Sequence, residues 1–181
     1  MKKEVINYKL GGLIREDFDK NDHLFEGRVY ITDCQMPKQF DLLDKTPDST
    51  QQVGVGNCVA HAAAMCLRFL EGNKDIDFSR AFLYYQARKL NGDTERDNGT
   101  TIRNIMKILK KDGDCENKYM YNELLYKIPP SEEAFENAKK YKIKEYLRIN
   151  SLTGIKTWLV GRQQPVVFGL QVNEDFKSEK V

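Results

Sequence analysis

Apolar positions fall into helical stripes through the middle of the chain and into short continuous runs towards its end. From Cys58 to about Glu71, Val59, Ala62, Ala63, Cys66, Phe69 and Leu70 recur at helical spacing. Ala60, Ala64, Met65 and Leu67 make that segment apolar nearly all round, which predicts a buried central helix. Asn57 is its expected N-cap, so Cys58 opens the helix. Phe78 to about Leu90 reads as a second helix with Ser79 as cap, Tyr84 and Tyr85 going to the core. A polar loop, Asn91 to Gly99, leads to a third helix from Thr101 to Lys111, stopped by Asp112-Gly113. Pro129-Pro130-Ser131 starts a fourth helix running to about Tyr141. The pattern then changes. Residues 146–149 (Tyr-Leu-Arg-Ile) are strand-like, Ser151 to Gly161 is a short helix, and Pro165 to Val172 reads as a buried-type strand. Helices first and strands later predict an α+β fold. No repeat or low-complexity segment interrupts the 181 residues.

Residues 1–36 stand apart. They are polar and charged, contain Gly11-Gly12 and Asp17-Phe-Asp-Lys-Asn-Asp22, and predict an extended N-terminal arm with little core of its own. Charge adds little: 29 Lys plus Arg against 27 Asp plus Glu leaves +2, too small an excess for a polyanion-binding field. Lys107 to Lys111 and Lys139 to Lys144 are helix faces or strand approaches, and nucleic acid is not an expected partner. Met1-Lys-Lys lacks an apolar run behind it, so no secretory signal is read, and nothing approaches the ~20 apolar residues of a membrane span. Cys34, Cys58, Cys66 and Cys115 show no paired spacing. No zinc site, other metal, organic cofactor or disulfide framework is expected, and four free thiols fit a reducing, intracellular compartment.

Among those thiols Cys58 is singled out by its place at a helix N-terminus, where the helix dipole favours the thiolate. The chain offers two imidazoles, His23 and His61. His23 lies in the polar arm. His61 follows Cys58 by three residues on the same helix face, so it is either a packed helical histidine or a substitute base.

Asp41-Leu-Leu-Asp-Lys through Gln52 to Gly56-Asn57-Cys58 resembles the nucleophile region of papain-like cysteine peptidases, most closely their bacterial and viral branch. Phe78-Ser-Arg-Ala-Phe-Leu-Tyr-Tyr, Asp97-Asn-Gly-Thr-Thr-Ile-Arg103, Lys110-Lys-Asp-Gly and Tyr119-Met-Tyr121 resemble successive landmarks of the family's helical lobe. Ile149-Asn-Ser-Leu and Pro165-Val-Val-Phe-Gly resemble the entry into its β lobe. The resemblance spans roughly residues 37–176. It implies a helical lobe over 37–145, the beginning of a β-rich lobe over 146–181, and a propeptide-like arm over 1–36. It also implies a catalytic pair: Cys58 as nucleophile and Gln52 as side-chain donor to the oxyanion hole, with the Cys58 backbone N–H as second donor. Acyl transfer needs such a thiolate and such fixed donors. Gly99, with Asn98 beside it, matches the glycine whose backbone pairs with an extended substrate peptide.

Departures from the family pattern are Val53 for the usual Gly, Asn57 for Ser, Val59 for an aromatic, and Val55 where papain has a disulfide cysteine. The larger departure is the base. Its histidine is expected ~130–150 residues after the cysteine, beyond Val181, and the later orienting asparagine has no match either. The expectation is therefore a cysteine-type peptidase acting on peptide or protein substrates through a thioester on Cys58. This chain would be an incomplete or inactive portion, its base supplied by a C-terminal companion segment. The alternative is a non-catalytic papain-like binding or inhibitory module.

Overall fold

A computed structural model of the chain describes residues 11–25, 36–73 and 75–172. Cys34 and the outer parts of the arm lie outside the described residues, as do residues 173–181. Five α-helices follow one another: α1 (Cys58–Glu71), α2 (Arg80–Leu90), α3 (Ile102–Lys111), α4 (Glu132–Ala138) and α5 (Leu152–Arg162), with single 3₁₀ turns at Leu43–Lys45, Asn117–Tyr119 and Glu123–Leu125. Four of the helices start on a hydroxyl that accepts an otherwise orphaned amide. Ser79 takes Phe82 N–H at 3.0 Å, Thr101 takes Asn104 N–H at 3.1 Å, Ser131 takes Ala134 N–H at 3.2 Å and Ser151 takes Gly154 N–H at 3.0 Å.

The core forms where α1, α2 and α3 meet. Val59, Ala60, Ala63, Ala64 and Leu67 come from α1, Phe82, Leu83, Tyr84 and Ala87 from α2, and Ile105, Ile108 and Leu109 from α3. Ala134 and Ala138 of α4 close it. The alanines of α1 let its neighbours approach closely, while the larger side chains of α2 and α3 fill the space between. The central helix is α2, not α1 as its apolar character suggested: every residue from Arg80 to Arg88 is buried. The guanidinium ends of its two arginines are held there by partners. Arg88 Nη1 donates to the carbonyls of Thr94 and Arg96, and Arg80 Nη1 to Asp77 and Phe78. The rest of α1 faces an open cleft instead, and Cys66, expected in the core, is half-buried on its wall.

Helix α4 stops at Ala138, short of the expected Tyr141. There the chain tightens into turns with Lys140 N–H on Asn137 O and Tyr141 N–H on Ala138 O, closing over Gly113. A side chain at Gly113 (φ +85°) would overlap the Ala138 carbonyl.

The expected strands do not form. Backbone pairing among the described residues outside helices is limited to three isolated bridges, Leu13 with Thr100, Leu24 with Arg148, and Phe78 with Glu116. Residues 146–149 contribute one of these, and 165–172 none. A strand is held by its neighbour's ladder, and no backbone pairs with 165–172 among the described residues. Phe168 and Leu170 are accordingly 64% and 70% exposed, not buried. The helical lobe is present, and no β lobe is seen among the described residues.

Candidate active site

The approach to α1 is a tight double turn. Val53 O accepts Val55 N–H, and Val55 O accepts both Asn57 N–H at 2.9 Å and Gln52 Nε2 at 2.6 Å. One N–H of the Gln52 amide is thereby used to hold the loop. The other remains available in the same half-buried loop that delivers Cys58.

Asn57 occupies the N-cap position but does not cap, contrary to expectation. Its buried side chain turns away and donates to Glu123 Oε2 at 2.5 Å. The same carboxylate oxygen meets His61 Nε2 at 2.8 Å, and His61 Nδ1 meets Thr50 Oγ1 at 3.0 Å. Both ring nitrogens of His61 are therefore engaged away from the thiol, which argues against the substitute-base role. Glu123, whose carboxyl stays below the usual range despite burial because His61 and Asn57 hydrogen-bond to it, was not singled out from sequence.

Cys58 is half-buried. Burial pushes its thiol above the ordinary value, opposed by the backbone N–H groups of Val59, Cys58 itself and Gly12. Desolvation thus outweighs the helix N-terminus, reversing the expected sign. Of the other described thiols, burial pushes Cys66 up to about 11 and Cys115 up to about 12.

Across from the thiol lies the Asn98-Gly99-Thr100 edge. Gly99 is buried in the left-handed region at φ +78°. Asn98 points the other way, its Nδ2 donating to Asp93 Oδ2 at 2.7 Å on the exposed side of its own loop. The edge is occupied by the arm: Thr100 N–H donates to Gly12 O and Ile14 N–H to Thr100 O, both at 2.9 Å. A methyl on Gly12 would overlap the Gly56 carbonyl, and one on Gly99 would overlap the Gly12 carbonyl. The arm therefore passes between the cysteine loop and Gly99 with room for backbone alone. Further on it is anchored by charge. Glu16 accepts the Arg103 backbone N–H at 2.7 Å, and Asp22 receives Arg103 Nε at 2.9 Å, Arg103 Nη2 at 2.8 Å and Arg148 Nη1 at 2.8 Å. The Arg103 hydrogen bond, with Arg148 behind it, holds the Asp22 carboxyl down at about 2. The described part of the arm is extended as expected, but it is docked rather than peripheral.

A second group was missed from sequence. Asp97 accepts the Gly56 N–H on both oxygens, at 3.0 and 3.1 Å. Tyr84, fully buried, donates its hydroxyl to Asp97 Oδ1 at 2.5 Å and accepts the Gly99 N–H at 3.0 Å. The sequence offered both stretches as landmarks of the helical lobe and Asn98-Gly99 as a turn, but gave neither Asp97 nor Tyr84 a role at the site.

Beneath the arm, a cleft of about 800 Å³ separates the α1 and α3 faces, at Leu67, Leu70 and Met106, from the later segment at Ile155, Trp158 and Val167. Among the described residues no cluster of His, Cys, Asp or Glu could hold a metal, and no helix is long and apolar enough to cross a membrane.

A thiol at a helix start, a glutamine amide fixed in the preceding loop and a backbone edge paired with the arm thus lie together. Comparison with known proteins gives the following likenesses. The chain is 31% identical over 194 aligned residues, 99% of its length, to an uncharacterized peptidase C1-like protein of Acanthamoeba polyphaga mimivirus, of which it spans 58%. Its fold matches the crystal structure of xylellain, a cysteine protease from Xylella fastidiosa, with a TM-score of 0.64 and 24% identity over 84% of this chain and 64% of that one. No family model matches the sequence. The chain is thus similar in sequence to a peptidase C1-like protein and in fold to a cysteine protease, and it spans less than two thirds of either relative's length.

Proposed function

We propose that the chain carries the nucleophile half of a cysteine peptidase site. The Cys58 thiolate attacks the scissile carbonyl. The oxyanion that develops is held by the Cys58 backbone N–H and by the free N–H of Gln52. A base histidine returns its proton to the leaving amine, and water then hydrolyses the thioester to regenerate the thiol. The observation that carries the reading is the backbone at Gly12 to Ile14, hydrogen-bonded to Thr100 while Gly12 lies against the Gly56 carbonyl in the loop that delivers Cys58. The edge takes the backbone of the chain's own arm, which supports the reading that an extended peptide substrate lies there.

The base is proposed to come from a companion segment. His61 is tied to Thr50 and Glu123, and the apolar cleft and the exposed Phe168 and Leu170 give such a segment a surface to cover. The arm, by its position, stands in for a substrate and acts as a propeptide-like plug. A second reading, a non-catalytic papain-like binding module, is favoured by the raised pKa of Cys58 and by that plug.

Substoichiometric iodoacetamide on the native protein, followed by adduct mapping, tests the nucleophile. Cys58 is expected to label ahead of Cys66 and Cys115, which burial keeps protonated further up the pH scale. Labelling of those two with Cys58 silent would overturn the assignment. In a cleavage-competent form, Gln52→Ala is expected to lower kcat by ~10²–10³ with KM little changed. Wild-type turnover in that variant would remove Gln52 from the oxyanion site, and a competent form that cleaves no peptide would favour the binding module.

A further inference from the structure

We propose that Asp97 and Tyr84 are positioning residues for the thiol site, setting the cysteine loop and the peptide-binding edge relative to each other. The inference rests on the peptidase reading above and deepens it.

The hydrogen bonds form one connected path. Gln52 holds the carbonyl of Val55, the next amide along, that of Gly56, is held by Asp97, Asp97 is held by Tyr84, and Tyr84 receives the amide of Gly99. The two ends are the proposed oxyanion donor and the edge that takes extended backbone. Between them the path uses one side chain from the middle of the most buried helix and one from the loop after it, so rigidity of the core is passed to both walls of the site. The groups lie close together at Gly56. A methyl on Gly56 would sit 3.1 Å from Asp97 Oδ1 and 3.6 Å from the Tyr84 hydroxyl. Val55 stands where papain has a disulfide cysteine. Here the residue next to it is fastened by a carboxylate instead, a tie that reductants do not open. Tyr84 is suited to its place, since burial and the neighbouring Asp97 keep its hydroxyl protonated, and hence a donor, through any working pH.

Positioning makes a prediction that simple packing or simple charge does not. The Cys58 thiolate is held by the amides of Val59 and Cys58, at the end of the loop that Asp97 fastens. Releasing Gly56 in Asp97→Ala lets those amides drift, so the thiolate loses stabilisation. Asp97→Asn keeps a side-chain oxygen for the Gly56 amide and should keep the site intact. If Asp97 acted only as a nearby negative charge, both variants would instead make the thiol more acidic.

The test is the pH–rate profile of Cys58 alkylation by iodoacetamide in the 181-residue chain, read by peptide mapping in protein whose folding is verified by circular dichroism. Asp97→Ala is expected to raise the midpoint by about half a pH unit, about a threefold slower reaction at a fixed pH below it. Asp97→Asn should superimpose on wild type. Tyr84→Phe, which deletes one oxygen from a retained ring, should move the midpoint the same way by less, and it carries the test if the alanine variant does not fold. Profiles that superimpose for all variants, or that fall for both Asp97 variants, would overturn the positioning role while leaving Cys58 as nucleophile. Silence of Cys58 in the wild-type chain would instead overturn the peptidase reading and this inference with it.

Discussion

The three helices α1 to α3 and the stretch after Lys144 are both rich in apolar residues, yet they end in opposite states. In the first, Phe82, Leu83 and Ile105 are fully buried. In the second, α5 buries only Thr157, and Phe168 and Leu170 face outward. Intrinsic preference does not separate them, since α5 has a sound Ser151 cap and residues 165–172 have sound strand composition. What differs is the partner. α2 lies against both α1 and α3, whereas the later stretch borders an open cleft of about 800 Å³. Apolar pattern supplies the demand for burial, and a complementary surface has to meet it.

The comparison breaks most visibly in stability. Phe82→Ala is expected to cost about 3–5 kcal/mol, the usual loss for emptying a closed aromatic site. Phe168→Ala should stay within about 0.5 kcal/mol, as for an exposed position. Urea denaturation followed by helical circular dichroism measures both. A large cost for Phe168→Ala would mean that the later stretch is covered in solution, by another copy of the chain or by a companion segment.

The same contrast explains what was legible in the sequence. The start and end of α1 were, because a periodic apolar run bounded by Asn57 and Gly72 is a local signal. So were Ser79 and Ser131 as caps, each acting within three residues, whereas Ser151, read as the first residue of α5, is its cap. The placing of Cys58 and Gln52 in one loop was legible through resemblance. Long-range partners were not. Asn57 abandons its capping role because Glu123, 66 residues on, offers a buried carboxylate. The Cys58 thiol is less acidic than its helix position suggests because the folded chain half-buries it, and that desolvation outweighs the nearby backbone N–H groups. The strand at 165–172 was misjudged because its composition reports a wish for burial and cannot report whether a neighbouring strand is there.

The arm is the intermediate case, polar in sequence yet docked through backbone and charge. Gly12→Ala should expel it, since the added methyl has no room beside the Gly56 carbonyl. Cys58 alkylation is then expected to quicken severalfold, and an unchanged rate would mean the arm does not guard the thiol. Its charge anchor has a definite pH sense. The Asp22 carboxyl is held at about 2, below its ordinary 3.8, so its contribution is complete above about pH 4 and disappears as the pH falls through about 2. Hydrogen-exchange protection of the Ile14 and Arg103 amides, both bonded across the arm, should stay level from pH 7 to 4, whereas Asp22→Asn should weaken it throughout. Loss of protection between pH 7 and 5 would assign the anchor to another group.

The smallest effect sharpens the comparison furthest, because it sets the same residue type in the same capping role in both regions. Ser79 is buried, accepts Phe82 N–H and donates its hydroxyl to Met120 O at 2.5 Å. Ser79→Ala therefore uncaps the central helix and strands a carbonyl beside it, at an expected global cost of about 1–2 kcal/mol. Ser151 is exposed and caps a helix that contributes little to the core. Ser151→Ala should fray the first turn of α5, raising exchange at Gly154 and Ile155, with the global urea midpoint nearly unmoved. That difference follows from cooperativity: a cap influences the whole fold only if its helix must form for the core to form. Equal midpoint shifts for the two variants would show that α5 folds as one unit with α1 to α3, and the stretch after Lys144 would then have to be counted as part of the core it borders.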